Sequence, residues 1–371
     1  MKVIFAGGGT GGHINPAISI ADYAKKNDSN FEALFIGTEK GMESTLIPRQ
    51  GYDIKFIKIH GFERKLSLKN VRTVGEIFGG IKAVKKIIKE FKPDVVVGTG
   101  GYVTGPVLLA ATRMKLPTLV HEANAFPGVT IRILSRFVDI VALSMEEAAK
   151  FIPKSKRIEV TGNPVRPSIL ACDRETAKAK LGLGEDKVIL IFGGSLGAEK
   201  INRVASEWIA KTASEGKYQV IMSTGKNNQY ENVMKSFEEK GIDLEKFPKI
   251  SVSEYIYDMD LALNAADLII ARSGGSVSEM TALGKAAILI PSPYVAGNHQ
   301  EHNARAVEKS GGAIVICEDE LCVEKLSESV EKILGNDEVL EKMQRGSRSI
   351  GVPDATDKIY KLVKELEKRK K

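Results

Sequence analysis

The 371-residue sequence has only three cysteines, Cys172, Cys317 and Cys322, and they are widely scattered. That is too few for a disulfide framework or a thiolate metal site, and it points to a reducing, cytoplasmic compartment. Long hydrophobic runs are missing too. The longest uncharged stretch, 95–112, is broken by Gly98, Gly100, Gly101, Gly105 and Pro106, whereas a membrane span needs about 20 mostly apolar residues without such breakers. The chain opens directly on the apolar run Val3–Ala6, with no basic segment leading into a hydrophobic one, so no signal peptide is expected. No Walker lysine follows any glycine turn, which argues against nucleoside triphosphate hydrolysis. Glycine, by contrast, is plentiful at 35 residues, several of them just after apolar runs. Hydrophobic and charged fractions of 43% and 27% exclude a disordered or collagen-like chain. Lys and Arg outnumber Asp and Glu by 54 to 47, which suits an anionic partner without selecting among nucleic acid, nucleotide and lipid.

Short β-branched runs alternate with segments of helical period. The first half predicts strands at 2–6, 32–37, 53–58, 94–98, 117–121, 138–142 and 157–160, with helices at 15–27, 40–50, 75–91, 105–114 and 145–151 between them. The pattern restarts at 187–192 and continues through 218–223, 249–252, 267–271, 286–290 and 313–316. Unbroken apolar strands alternating with helices predict an α/β fold with two Rossmann-like, doubly wound parallel-sheet domains. The two prolines and the glycine of Thr161–Pro167 mark the join. The expected domains are therefore 1–163 and 164–352. A last helix within 353–371 carries Ile359, Leu362, Val363 and Leu366 on one face and is expected to pack back on the first domain.

Three strands run into glycine turns, at Gly7–Gly12, Gly98–Gly105 and Gly193–Gly197. Each opens onto a helix, whose unpaired first amides and positive dipole end favour anions. Gly7, Gly9 and Gly12 match the dinucleotide fingerprint, so an oxidoreductase enters consideration. The acidic residue that should follow is badly placed, since Glu32 begins the second strand and Glu39 comes late. The most informative stretch is 266–284. An apolar strand ends in Arg272-Ser-Gly-Gly275, and a helix begins near Ser276 with Glu279 in its first turn. Phosphates can lie on the 274–276 amides while Glu279 accepts hydrogen bonds from the two hydroxyls of a ribose. The plainer alternative is that Glu279 complements the helix dipole.

Seven motifs then occur in order: Gly8–His13 (GGTGGH), Gly100–Pro106 (GGYVTGP), His121–Asn124 (HEAN), Gly162–Arg166 (GNPVR), Gly193–Ala198 (GGSLGA), Arg272–Glu279 (RSGGSVSE) and Asn298–Gln300 (NHQ). Together they closely resemble the bacterial undecaprenyldiphospho-muramoylpentapeptide β-N-acetylglucosaminyltransferases, over nearly the whole chain. The resemblance implies a GT-B glycosyltransferase, with two Rossmann-like domains facing a cleft. It implies UDP-N-acetylglucosamine as donor, lipid I as acceptor and lipid II as product. By motif match the donor contacts are Thr10, Gly11, Gly12, Asn124, Arg166, Ser195, Ile256 and Gln300, joined by Arg272, Gly275, Ser276, Glu279 and His299. Ser195 is then a phosphate ligand, Ile256 a backbone reader of uracil and Glu279 the ribose acceptor. Asn124 and Gln300 face sugar hydroxyls, and His299 and Gln300 can exchange roles.

The implied reaction inverts the anomeric carbon, which calls for a base on the acceptor hydroxyl and stabilisation of the departing UDP. His13 suits the base role, since imidazole titrates near neutrality. Its alternative is to bind the acceptor diphosphate. Glu122 is the rival base, and its alternative is a structural carboxylate behind the 121–124 loop. Glycine-loop amides, a helix dipole and Arg272 or Arg166 can stabilise the leaving group, so neither metal nor cofactor is required. Asp258-Met-Asp260 spells a metal-binding pattern but precedes a helix, where Asp serves as a cap. His299 and His302 lack a third ligand. Residues 58–92 hold ten Lys or Arg against three Glu, interleaved with apolar side chains such as Phe62, Leu66 and Phe78. That pattern suits the anionic cytoplasmic leaflet of a membrane, while the helix 75–91 also packs an apolar stripe on the sheet. Few aromatics and no recognised module speak against nucleic acid.

Overall fold

The computed structural model describes residues 1–59, 68–194, 196–226 and 228–370. The chain divides into two units, Met1–Val165 with the segment from Val352 onward, and Arg166–Gly351. In the first, the run Val3–Ala6 has no solvent exposure, and neither does Val95–Val97. Strands buried on both faces need helices on both sides, and that forces parallel pairing through crossovers.

The first unit runs β1 Lys2–Gly7, α1 Gly11–Asn27, β2 Glu32–Gly37, α2 Glu43–Arg49, β3 Asp53–Phe56, α3 Leu68–Phe91, β4 Val95–Gly100, α4 Thr104–Arg113, β5 Thr118–Glu122, α5 Val129–Leu134, β6 Ile140–Leu143 and β7 Ile158–Val160. Its seven strands lie in the order β3-β2-β1-β4-β5-β6-β7, and every pair is parallel. The second unit runs α6 Pro167–Leu170, α7 Arg174–Lys180, β8 Val188–Phe192, α8 Glu199–Thr212, β9 Gln219–Ser223, α9 Gln229–Glu239, β10 Ile250–Ser253, α10 Met259–Ala265, β11 Leu268–Ala271, α11 Ser276–Leu283, β12 Ala286–Leu289, α12 His299–Lys309, β13 Ala313–Val315, α13 Val323–Leu334 and α14 Asp337–Ile350. Its six strands, β10-β9-β8-β11-β12-β13, are also all parallel. Each sheet reverses its winding between two central strands, β1 and β4 in one and β8 and β11 in the other. Ligands of open α/β sheets bind outside the carboxyl ends of the strands at such a switch point.

The final helix, α15 Ala355–Lys370, belongs to the first unit. Its Ile359, Val363 and Leu366 are buried in one cluster with Val3, Phe5, Val95 and Val97. Tyr23 Oη donates to Asp357 at 2.9 Å, and Arg157 Nη1 donates to Glu365 at 2.7 Å.

Local structure departs from the sequence reading in three places. Helix α1 starts at Gly11, not near 15, because the amides of His13 and Ile14 both bond the Thr10 carbonyl and close a turn ahead of Pro16. Helix α3 starts at Leu68 and runs through Gly75, Gly79 and Gly80. Gly80 faces Pro106 of α4, where an added Cβ would make an ordinary contact at 3.7 Å. Asp258 takes the N-cap position of α10 but makes no side-chain cap bond. Its ψ of 50° lies outside the extended region from which an Asp side chain reaches the first amides of a helix.

Leu366 has no exposed surface. Leu366→Ala is expected to lower the unfolding free energy by about 2–5 kcal/mol in a urea titration, and a loss under about 1 kcal/mol would mean that α15 is not part of this core.

Candidate active site

At the carboxyl edge of the first sheet, β1 ends at Gly7 and the chain turns through Gly9 (φ +88°) into α1. The turn fits tightly against the one that follows β4. Gly8 N–H points to the Gly100 carbonyl at 3.4 Å, and Thr99 Oγ1 donates to the His13 carbonyl at 2.6 Å. A Cβ at Gly100 would stand 2.4 Å from His13 Nδ1, and one at Gly101 would stand 2.2 Å from the Gly8 carbonyl oxygen. Both glycines also have positive φ, +109° and +80°. Only glycine fits either place. The two motifs read separately in the sequence are therefore one structure, with Thr10 and Gly12 exposed and Gly11 and His13 half-buried at its rim.

Strand β5 ends in His121 and Glu122, both buried. His121 Nε2 lies 3.2 Å from the Gly162 carbonyl, while its Nδ1 has no hydrogen-bond partner among the described residues. Burial pushes its pKa down to about 4, against the Gly162 carbonyl and helped by nearby His13. Glu122 Oε1 accepts from both the amide and Nδ2 of Asn124 at 2.9 Å, and Oε2 accepts from the Gly128 amide at 2.9 Å. Burial raises its pKa while these hydrogen bonds oppose the rise. Glu122 orients Asn124 and spans 123–128. Both oxygens of this candidate base are thus engaged by its own loop.

The second sheet presents a similar edge. The chain leaves β8 through Gly194 (φ +92°) and Gly197 (φ +80°) before α8. Ser195, between them, lies outside the described residues. A Cβ at Gly197 would stand 2.2 Å from the Thr224 carbonyl oxygen, so this turn too requires glycine. After β11, Gly275 leads into α11 at Ser276. Ser273 Oγ donates to the Gln300 backbone carbonyl at 2.7 Å, and the Ser292 amide donates to Gln300 Oε1 at 2.9 Å. Gln300 Nε2 stands 3.9 Å from where a Gly274 Cβ would be. Gln300 is thus the side chain against this turn, while half-buried His299 begins α12.

Arg166 Nε donates to Glu279 Oε1 at 3.1 Å. Burial raises the Glu279 pKa, and Arg166 opposes the rise. Arg272 donates through Nη1 to the Ile290 carbonyl at 3.0 Å and forms an ion pair with Glu318, so part of its charge is already answered. Ile256 is half-buried in the turn after β10, between exposed Tyr255 and Tyr257, whose rings meet edge to face with centroids 5.1 Å apart. A cavity of about 630 Å³ opens along this edge, lined by Gly193, Gly194, Gly197, Arg203, Arg272 and Gln300 among others. Another, of about 330 Å³, lies at the opposite edge of the same sheet around Trp208, Gly216 and Tyr218, away from every glycine turn discussed here.

The structure thus brings together Thr10–His13 with the 100–104 turn in one unit, and Arg166, Glu279, Gly275, Ser276, Gln300 and Arg272 along one edge of the other. Sequence reasoning missed Glu43, Tyr102 and Glu318. Their partners are 34, 64 and 46 positions away, at Gly9, Thr38 and Arg272, so no local pattern reveals them.

Two Rossmann-like units, each with glycine turns at the switch point of its sheet, define the GT-B class of glycosyltransferases. Residues 3–143 match the glycosyltransferase family 28 N-terminal domain, and residues 188–364 match the glycosyltransferase family 28 C-terminal domain. The chain belongs to glycosyltransferase family 28 and is an enzyme of that kind. It is 50% identical, over 100% of its length and 99% of the relative's, to the UDP-N-acetylglucosamine–N-acetylmuramyl-(pentapeptide) pyrophosphoryl-undecaprenol N-acetylglucosamine transferase of Acetivibrio thermocellus. It is 47% identical to the protein of the same name from a Thermoanaerobacter species, over 99% of this chain and 100% of that one. Among solved structures it is similar to Acinetobacter baumannii MurG, at TM-score 0.78 and 27% identity, covering 98% of this chain and 99% of that one. A UDP-GlcNAc 2-epimerase from Neisseria meningitidis shares the fold at TM-score 0.69 and 17% identity, over 98% of this chain and 100% of that one.

The depressed pKa of His121 has a consequence for stability. Unfolded, this histidine binds a proton near pH 6.5; folded, it does so only near pH 4. The unfolded state therefore binds more protons between those values, and stability falls as pH drops through that window, by up to roughly 3 kcal/mol from this residue. His121→Gln is expected to flatten the loss between pH 6.5 and pH 4 in denaturant titrations; an unchanged slope would show that His121 does not carry it.

Proposed function

We propose that the protein transfers N-acetylglucosamine from UDP-N-acetylglucosamine to the C4 hydroxyl of the muramoyl sugar of undecaprenyl-diphospho-muramoylpentapeptide. That step converts lipid I to lipid II in peptidoglycan synthesis. The observation that carries the reading is the pairing of a glycine turn with Glu279 in the first turn of α11, on a chain akin over its full length to transferases named for this reaction. The donor lies mostly on the second unit. Its diphosphate rests on the amides at Gly275 and Ser276 and on the turn that carries Ser195. Glu279 accepts from the ribose through Oε2, the oxygen that Arg166 does not hold. Uracil lies along the backbone at Ile256, and Gln300 and Asn124 serve the sugar hydroxyls. Thr10, Gly11 and Gly12 of the first unit are further donor contacts, and the acceptor meets His13.

In the transfer the acceptor O4 attacks C1 of the sugar as the C1–O bond to UDP breaks. The acceptor proton passes to His13, and UDP departs with the bonding electrons. Backbone amides at helix starts face the charge that develops on the diphosphate, and such preorganised donors are the largest single source of stabilisation in many enzymes. Arg272 acts here with its charge tempered by Glu318, so the amides carry more of the load than the sequence suggested. No metal takes part in this scheme.

The acceptor's lipid tail calls for docking at the cytoplasmic face of the membrane. Support comes from the surplus of seven basic charges in 58–92. On α3, Phe78 is 65% exposed, beside exposed Lys82, Lys86 and Lys89, while Ile81, Val84 and Ile88 are buried in the core. Phe62 and Leu66 lie outside the described residues. No helix among the described residues is long and apolar enough to cross a membrane.

Transfer of labelled N-acetylglucosamine to a short-chain lipid I analogue tests the proposal, and the rate is expected to be the same with and without EDTA. His13→Ala should keep its affinity for UDP-N-acetylglucosamine within about twofold while turnover falls ~10²–10⁴-fold. Absence of transfer by the wild type would refute the function; unchanged turnover in the variant would remove His13 from the mechanism.

A further inference from the structure

Glu43, the first residue of α2, takes no part in the transfer as described, yet it is completely buried. A carboxylate is rarely held in such a place unless hydrogen bonds satisfy it. Oε2 accepts from the Gly9 amide at 3.0 Å. Oε1 accepts from the Thr38 amide at 3.0 Å and from Thr38 Oγ1 at 2.8 Å. Hydrogen bonds to a charged group are worth about 1.5–3 kcal/mol each, so three of them fix this side chain firmly.

Its surroundings are shaped to admit it. A Cβ at Gly8 would stand 2.8 Å from Glu43 Oε1, and one at Gly41 would stand 2.2 Å from the same atom. One at Gly37 would stand 2.5 Å from Glu43 Cγ. Thr38 Oγ1 gives its proton to Glu43, so Tyr102 Oη, 3.2 Å away, must be the donor to Thr38. The Tyr102 ring in turn covers Gly9, with its edge 3.4 Å from where a Gly9 Cβ would stand. One carboxylate therefore joins the turns after β1, β2 and β4. It does so through Gly9, the left-handed residue that aims the chain into α1.

We propose that Glu43 is a positioning residue for the transfer. By holding the Gly9 amide and, through Thr38, the Tyr102 phenol, it sets the Thr10–Gly12 turn and His13 where the two substrates meet them. This inference rests on the roles given to those residues under the proposed function. Glu43→Gln keeps the volume but turns one acceptor oxygen into an amino group, which then faces an N–H donor. A displacement of about 1 Å in a positioned reactant can cost ~10²-fold in rate.

The test uses the full-length enzyme with UDP-N-acetylglucosamine and a short-chain lipid I analogue. Glu43→Gln is expected to lower kcat at least about tenfold. KM for UDP-N-acetylglucosamine should change less than kcat, because most of that substrate's assigned contacts lie on the other unit. Thr38→Val keeps the carboxylate and its bond to Gly9 but removes one Oε1 donor and the link to Tyr102, and it is expected to lower kcat about threefold. Melting temperatures are measured alongside. A merely structural carboxylate would lower the melting temperature and leave kcat per folded molecule unchanged, and that result overturns the proposal. If Glu43→Gln does not fold, a wild-type kcat in Thr38→Val overturns it equally. Failure of the wild type to transfer at all would instead remove the function on which the inference rests.

Discussion

An α-helix begins with amides that have no carbonyl partner within the helix, and its peptide dipoles add to a positive end there. A parallel sheet lines such helix starts along the carboxyl edge of its strands. In this protein the constraint operates twice, at α1 beside β4 and at α11 beside β8. In the turns feeding α1 and α8, positive-φ glycines are needed because the chain packs there with no room for a Cβ, as at Gly101 against Gly8 and Gly197 against Thr224, whereas Gly275 before α11 has an ordinary φ of −60°. The polar edge is the outcome of backbone geometry more than of charged side chains.

Buried carboxylates give that edge its shape. Glu43 holds the Gly9 turn, Glu122 holds the 123–128 loop with Asn124, and Glu279 is held by Arg166. Glu43 and Glu122 are removed from bulk water and satisfied by local donors, so the cost of their burial is offset, whereas Glu279 is 20% exposed and held only at Oε1. Glu318 works in the opposite sense by answering the charge of Arg272. A side chain read as a free cation in the sequence becomes half of a pair in the fold. Of the candidate residues, Glu122 has both its oxygens turned inward to its own loop.

What was legible in the sequence was what local pattern encodes. Val188–Phe192 and Val95–Val97 announce buried parallel strands because both of their faces are covered and no polar residue interrupts them. Gly7–Gly12 and Arg272–Glu279 announce turns into helices because glycine and an early Glu mark a helix start. The start of α1 was placed late, near 15, whereas the Thr10 carbonyl already closes a turn ahead of it. The cap at Asp258 was misjudged because residue type is only half of a cap and the backbone angle is the other half. Glu43 was invisible: GMES reads as an ordinary helix start, and the Gly9 amide it serves is distant in the chain. The role of Tyr102 was hidden for the same reason, since its link to Thr38 exists only once β2 and β4 lie on either side of β1.

The central claim is that backbone amides at the edge of the second sheet grip a sugar nucleotide by its diphosphate. A crystal structure of the protein with UDP-N-acetylglucosamine tests it most directly. The account predicts phosphate density within hydrogen-bond reach of the Gly275 and Ser276 amides, with the ribose hydroxyls at Glu279. Density for the nucleotide anywhere else, with these amides left to water, would contradict it.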